Sequence, residues 1–79
     1  MATTILVSMD IARGTLLQVE TASGDLATMR ALGPPQQGRD FRVVWVCTEA
    51  EFIRAEQVGE EPHGLPWPYS AVRAVMAAA

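Results

Sequence analysis

The sequence predicts a mainly β (α+β) domain, and three observations carry that prediction. Two segments, Thr15–Thr21 and Leu26–Leu32, alternate apolar and polar residues with a period of two on either side of a glycine turn. That period is the mark of a half-buried strand, since successive side chains point to opposite faces. A third segment, Phe41–Cys47, is built almost wholly of aromatic and β-branched residues. Only one stretch, Thr48–Gly59, carries both a start and a stop signal for a helix.

Taken in order, Thr3 to Met9 is expected to form a first strand, with Thr3, Ile5, Val7 and Met9 on one face, and Asp10 to Gly14 a turn. In the second segment Leu17, Val19 and Thr21 share one face, and Gln18 and Glu20 the other. Ala22-Ser23-Gly24-Asp25 follows as a turn, with Gly24 free to take a positive φ. The return segment sets Ala27, Met29 and Ala31 against Thr28 and Arg30, so the two segments together predict a β-hairpin.

Gly33 to Asp40 is expected to be an eight-residue loop, because the Pro34-Pro35 pair cannot donate to a ladder. In Phe41–Cys47, Phe41, Val43, Trp45 and Cys47 fall on one face, and Arg42, Val44 and Val46 on the other. Apolar residues on both faces predict a central or doubly covered strand. Thr48 and Glu51 match a capping box, the hydroxyl accepting from the Glu51 amide while the Glu51 carboxylate reaches back to the Thr48 amide. A helix from about Glu49 to Val58 follows, with Gly59 as a left-handed cap and an apolar stripe of Phe52, Ala55 and Val58. Ile53 falls off that stripe.

Three prolines make Glu60–Pro68 an extended, irregular arm, yet Leu65, Trp67 and Tyr69 are too apolar for a linker and should lie across the sheet. Tyr69 to Met76 fits either a short closing strand or a helix with Val72, Val75 and Met76 on one face, helix being slightly favoured by periodicity. The sum is a small curled antiparallel sheet or SH3-like barrel with one short helix and a proline-rich C-terminal arm. Residues 1–76 form a single domain, and the terminal alanines 77–79 are expected to be disordered.

Size and charge narrow the function. A domain of 79 residues buries only about 60% of its unfolded surface, leaving little room for a catalytic cleft. Hydrophobic residues make up 49% and charged residues 19%, which argues against intrinsic disorder. The net charge of −3 has the wrong sign for a general nucleic-acid binder and for docking on an anionic membrane. No apolar run reaches the roughly 18–20 residues of a membrane span, and no basic residue precedes the short N-terminal apolar stretch as a signal peptide would require. A cytoplasmic protein is expected. With a single cysteine and a single histidine, neither an internal disulfide nor a multi-cysteine zinc site can form. The absence of lysine and asparagine beside twelve alanines points to a high-GC genome.

The stretches Val44-Trp45-Val46-Cys47-Thr48-Glu49 and Glu60-Glu61-Pro62-His63-Gly64-Leu65-Pro66-Trp67-Pro68 resemble small uncharacterised proteins of actinobacteria and actinophages. In those proteins a VWVCT strand, a Glu-rich helix and a G-x-PWP arm recur as a unit. The resemblance covers roughly a third of the chain and implies a shared structural element but no activity, so it transfers no catalytic residue.

Each cluster of reactive or charged residues has a plain reading beside its functional one. Cys47 and His63 hold the groups of a thiolate–imidazole pair, but a cysteine ending a strand is more simply a small buried hydrophobe. Glu49, Glu51, Glu56, Glu60 and Glu61 lie within thirteen residues, opposed there only by Arg54. They lack the spacing of a calcium loop, and capping and solvation account for most of them; what remains is a patch for a basic partner. Phe41, Trp45, Trp67 and Tyr69 either line a peptide groove or form the core against the chain's own Pro62, Pro66 and Pro68, and the core reading is preferred. Arg13, Arg30, Arg39 and Arg42 suit local phosphate contacts, or simply a solvated face among acids. The apolar Ser70–Ala79 tail is a candidate oligomer or partner contact if it is not packed on the domain, and packed closure or disorder of the final alanines is preferred.

The sequence therefore predicts a non-enzymatic interaction module without metal or cofactor, binding another protein or itself through Glu49, Ile53, Glu56 and Glu60. The alternative is a nucleic-acid-associated regulator using Arg30, Arg39 and Arg42.

Overall fold

A computed structural model of the chain describes residues 11–76. The expected first strand at Thr3–Met9 and the alanine tail lie outside the described residues. The elements are β1 (Leu16–Glu20), β2 (Leu26–Ala31), β3 (Gln36–Gln37), β4 (Arg42–Cys47), α1 (Glu49–Val58), β5 (Leu65–Pro68), a 3₁₀ turn (Tyr69–Ala71) and β6 (Val72–Met76). All pairings are antiparallel, in the order β3-β4-β2-β1-β6 with β5 on the other side of β4. The result is a small curled half-barrel whose two outer strands, β5 and β6, are joined by the single 3₁₀ turn.

The β1–β2 hairpin forms as expected. Gly24 donates to the Thr21 carbonyl at 2.9 Å and Thr21 to the Asp25 carbonyl at 2.8 Å, closing a short loop with Gly24 at φ 92°. This is a turn with a glycine in the left-handed region, a geometry whose twist suits the flanking strands. Leu17, Val19, Met29 and Ala31 are buried, so the alternation did locate the inner face.

Three expectations are corrected and one open alternative is decided. The loop 33–40 contains the two-residue strand β3, which resumes pairing with β4 once the prolines are past. The arm is not irregular throughout, because Leu65–Pro68 forms β5 against Val43–Val46. Pro66 and Pro68 are two residues apart, so both missing N–H groups fall on one edge; a ladder to β4 tolerates them when that edge is the unpaired one. Tyr69–Met76, open between strand and helix, is a 3₁₀ turn followed by a closing strand, and Arg73 is the extra residue where the β1–β6 register slips. Finally, the capping box is only half made. The Thr48 hydroxyl accepts from the Glu51 amide at 3.1 Å, but the Glu51 carboxylate turns to Arg54 and to the His63 amide.

The core lies on the concave face. Ile11, Leu17, Val19, Met29, Ala31, Val44, Val46 and Val72 form one buried cluster, with Ala27, Trp67, Tyr69 and Val75 packed against it. Trp67 also donates its indole N–H to the Glu20 carbonyl at 3.1 Å, tying β5 to the end of β1 across the opening. Cys47 and Ala55 are buried outside that cluster. Burying a valine or leucine side chain is worth about 1.5–3 kcal/mol, so this one-sided cluster carries most of the domain's stability.

Candidate interaction surface

β4 is the central strand and divides its apolar residues between two environments. Val44 and Val46 are fully buried on the concave side. On the convex side Trp45 is 42% exposed, and Phe41, continuing the alternation past the strand, is 56% exposed. The expectation that these two aromatics belong to the core is thus corrected, while Trp67 and Tyr69 do pack against it. The physical reason is parity. With Val44 and Val46 facing the cluster, Trp45 must face out, and the convex side has only a ten-residue helix to cover it.

That helix covers one end. Arg30 directly opposes Cys47, so both project outward where α1 begins. The Arg30 guanidinium donates to both Glu49 carboxylate oxygens at 2.6 and 3.0 Å and to the Gly14 carbonyl at 2.6 Å, and stands 5.5 Å from the Phe52 ring centre. Arg13 approaches the same ring at 6.0 Å. Of the expected helix stripe, Ala55 is buried and Phe52 half-buried, but Val58 is 57% exposed, a further correction.

Beyond the helix the convex face is open. Trp45 pairs with Pro66 and Val43 with Pro68 and Gln36, so these side chains share the face with Phe41. Beside Trp45 runs a groove of about 300 Å³ lined by Arg13, Leu32, Pro34, Trp45, Glu61 and Pro62. Sequence reasoning missed Leu32 and Pro34 as neighbours of Trp45; the amide of Leu32, which donates to the Trp45 carbonyl at 2.7 Å, brings them there. A second groove of about 340 Å³ opens at the seam near Glu20, Trp67, Pro68 and Ala71.

The acidic residues are more fully partnered than their spacing suggests, because Arg13, from the turn before β1, and Arg30, from β2, arrive from far away in the chain. Glu49 pairs with Arg30, Glu60 with Arg54 at 3.2 Å, and Glu61 with Arg13 at 3.5 Å. Glu51 accepts from Arg54 at 2.8 and 2.9 Å and from the His63 amide at 2.8 Å. These donors, Arg54 first and the backbone amide second, hold its carboxyl down to about 2. The hydrogen bond from Arg30 likewise lowers the Glu49 carboxyl. Among the described residues no ion pair or side-chain hydrogen bond engages the Glu56 carboxylate, and Ile53 beside it on α1 is 44% exposed. The four residues expected to contact a partner therefore comprise two exposed free groups, Ile53 and Glu56, and two carboxylates already paired, Glu49 and Glu60.

The arginines expected to share one face are separated. Arg30 faces the convex side with Cys47, whereas Arg42 lies an odd number of positions from Cys47 and sits over the Tyr69 ring at 4.9 Å. Arg39 stands at the tip of the β3–β4 turn, where no hydrogen bond or ion pair engages it among the described residues. Burial pushes the Cys47 thiol up, away from thiolate, and the exposed His63 is held by its backbone on Glu51. No group of three or more candidate metal ligands occurs among the described residues, and no described helix is long and apolar enough to cross a membrane.

No protein-family model, curated protein or solved structure matches the chain.

Proposed function

We propose that this chain is a non-catalytic interaction module that binds a protein through the convex face of β4 and β5. One observation carries the reading: Trp45, in the central strand, leaves 42% of its surface in water beside an exposed Phe41 and a proline-lined groove. A small domain gains by burying its few tryptophans, and tryptophan and arginine are the residues most often found as anchors in protein interfaces. Ile53 and Glu56 on α1 extend the contact surface, with Glu49 and Glu60 shaping its charge. The strand order and the 3₁₀ turn between the outer strands support an SH3-like reading of the half-barrel. The lone thiol and the coding bias support a cytoplasmic protein of actinobacterial or phage origin.

The nucleic-acid reading is less well supported, because Arg30 is committed to Glu49 and faces away from Arg42. It would require a mobility shift of DNA or RNA at low ionic strength.

The test is capture from a high-GC actinobacterial lysate, with nuclease, by tagged wild-type protein and by folded Trp45→Ala and Glu56→Arg variants. A protein captured by wild type and lost with Trp45→Ala supports the reading. Capture that survives both substitutions removes this surface from the interaction.

A further inference from the structure

We propose that Glu51 is the latch of the groove beside Trp45: its carboxylate fixes the strap Glu60–Gly64 on α1, and with the latch removed that wall of the groove is lost. The inference rests on the interaction reading above and adds what holds the surface in shape.

The starting point is a carboxylate spent in an unexpected place. In a capping box Glu51 would return to the Thr48 amide. Instead it accepts from the His63 amide on the strap at 2.8 Å and from Arg54 at 2.8 and 2.9 Å. Its side chain is only 20% exposed, so these donors stand in for water. Arg54 extends the tie by giving its third nitrogen to Glu60 at 3.2 Å. One carboxylate thus holds the strap twice, at His63 directly and at Glu60 through Arg54.

The strap has little else to orient it. Among the described residues, the His63 bond is the one hydrogen bond given by the backbone N–H groups of residues 61–64 outside the ladders. Pro62 has no N–H to give. On the inner side the strap is set by packing: Pro62 is buried, and a Cβ at Gly64 would meet the Leu32 side chain and the Val46 carbonyl. Packing fixes how deep the strap lies but is non-directional. The hydrogen bond to a charged acceptor supplies direction. Glu61, Pro62 and Gly64 then stand in the groove wall with Trp45 and Leu32. Arg13 reaches Glu61 only at 3.5 Å, with both side chains at least half exposed, and a pair of that kind is too weak to be a second latch.

The helix does not depend on the latch. The Thr48 hydroxyl caps the Glu51 amide and not its side chain, and Gly59 closes the other end. Alanine at position 51 keeps both caps and suits a helix, so the substitution perturbs the strap alone.

Nuclear magnetic resonance of the full, ¹⁵N-labelled chain tests the proposal without a partner. In Glu51→Ala the His63 amide should exchange with water about tenfold faster, the factor that corresponds to one lost hydrogen bond to a charged group. The Trp45 indole N–H resonance should move with it. The Trp67 indole, bound to the Glu20 carbonyl across the opening, should stay where it is, which separates loss of the wall from general loosening. Glu51→Gln keeps an acceptor oxygen for the amide and should show smaller changes at both His63 and Trp45; should Glu51→Ala not fold, it carries the same test. A freed His63 amide with an unmoved Trp45 indole, or unchanged His63 exchange, overturns the latch. Lysate capture separates this result from the interaction reading. Capture lost with Trp45→Ala but kept in full with Glu51→Ala would leave the surface standing and remove only the latch.

Discussion

Trp45 and Val44 are adjacent in sequence but sit on opposite faces of β4, and truncating each to alanine measures that difference. Val44 is fully buried in the concave cluster. Removing its two methyl groups loses about 1.6 kcal/mol of transfer free energy, and the sealed cavity adds to it, for a total of about 2–3 kcal/mol. Trp45 is far larger but is 42% exposed and opens onto a groove, so its removal leaves no sealed cavity. Only the buried part of its area counts. For a side chain that buries about 150–250 Å² when fully covered, that corresponds to roughly 2–3.5 kcal/mol, toward or below the lower end of the ~3–5 kcal/mol of an enclosed tryptophan. The two substitutions should therefore cost about the same despite the difference in size. Urea denaturation followed by far-ultraviolet circular dichroism gives both values, provided the slope is unchanged. With total stability of about 4–12 kcal/mol for a domain of this length, both variants should fold. A Trp45→Ala variant that loses more than about 4 kcal/mol, or fails to fold while Val44→Ala is mild, would refute the assignment of faces.

Four other outcomes are expected. Glu51 has its carboxyl depressed from 4.5 to about 2, so its contribution to stability is fully present above about pH 4.5 and is lost as pH falls toward 2. Glu51→Gln should flatten that acid limb of the stability profile, and an unchanged limb would count against the Arg54–Glu51–His63 link. A Cβ on Gly38 would lie 2.5 Å from the Phe41 carbonyl oxygen, so Gly38→Ala should destabilise by about 1–3 kcal/mol, read from the same urea curves. Cys47 is buried with its thiol raised, so a thiol reagent should label it only on unfolding; rapid native labelling would show an accessible thiolate. Replacing Pro66 and Pro68 together by valine restores donors to the free edge of β5, and light scattering should then report aggregation that the wild type lacks.

Local chemistry made much of this protein legible. The β1–β2 hairpin follows from Gly24 between two alternating segments, and the helix limits from Thr48 and Gly59, because turn and cap signals act over a few residues. Cys47 could likewise be read as a buried hydrophobe from its place at a strand end. The mainly β class and the single short helix needed no more than this.

What the sequence could not decide was every choice that depends on which distant segment lies opposite. In β4 both faces are apolar, so the pattern alone cannot say whether Trp45 or Val44 is inside; the pairing with β2 and β5 settles it. The prolines of the arm argue against a strand by local rules, yet an edge position accommodates them. Tyr69–Met76 fits either period, and the neighbouring β1 makes it a strand. In the sequence only Arg54 opposes the acidic run, because Arg13 and Arg30 are far away in the chain and reach Glu61 and Glu49 only in the folded structure. Short-range signals specify elements; exposure, ion pairing and the open face with Trp45 arise only from long-range contacts.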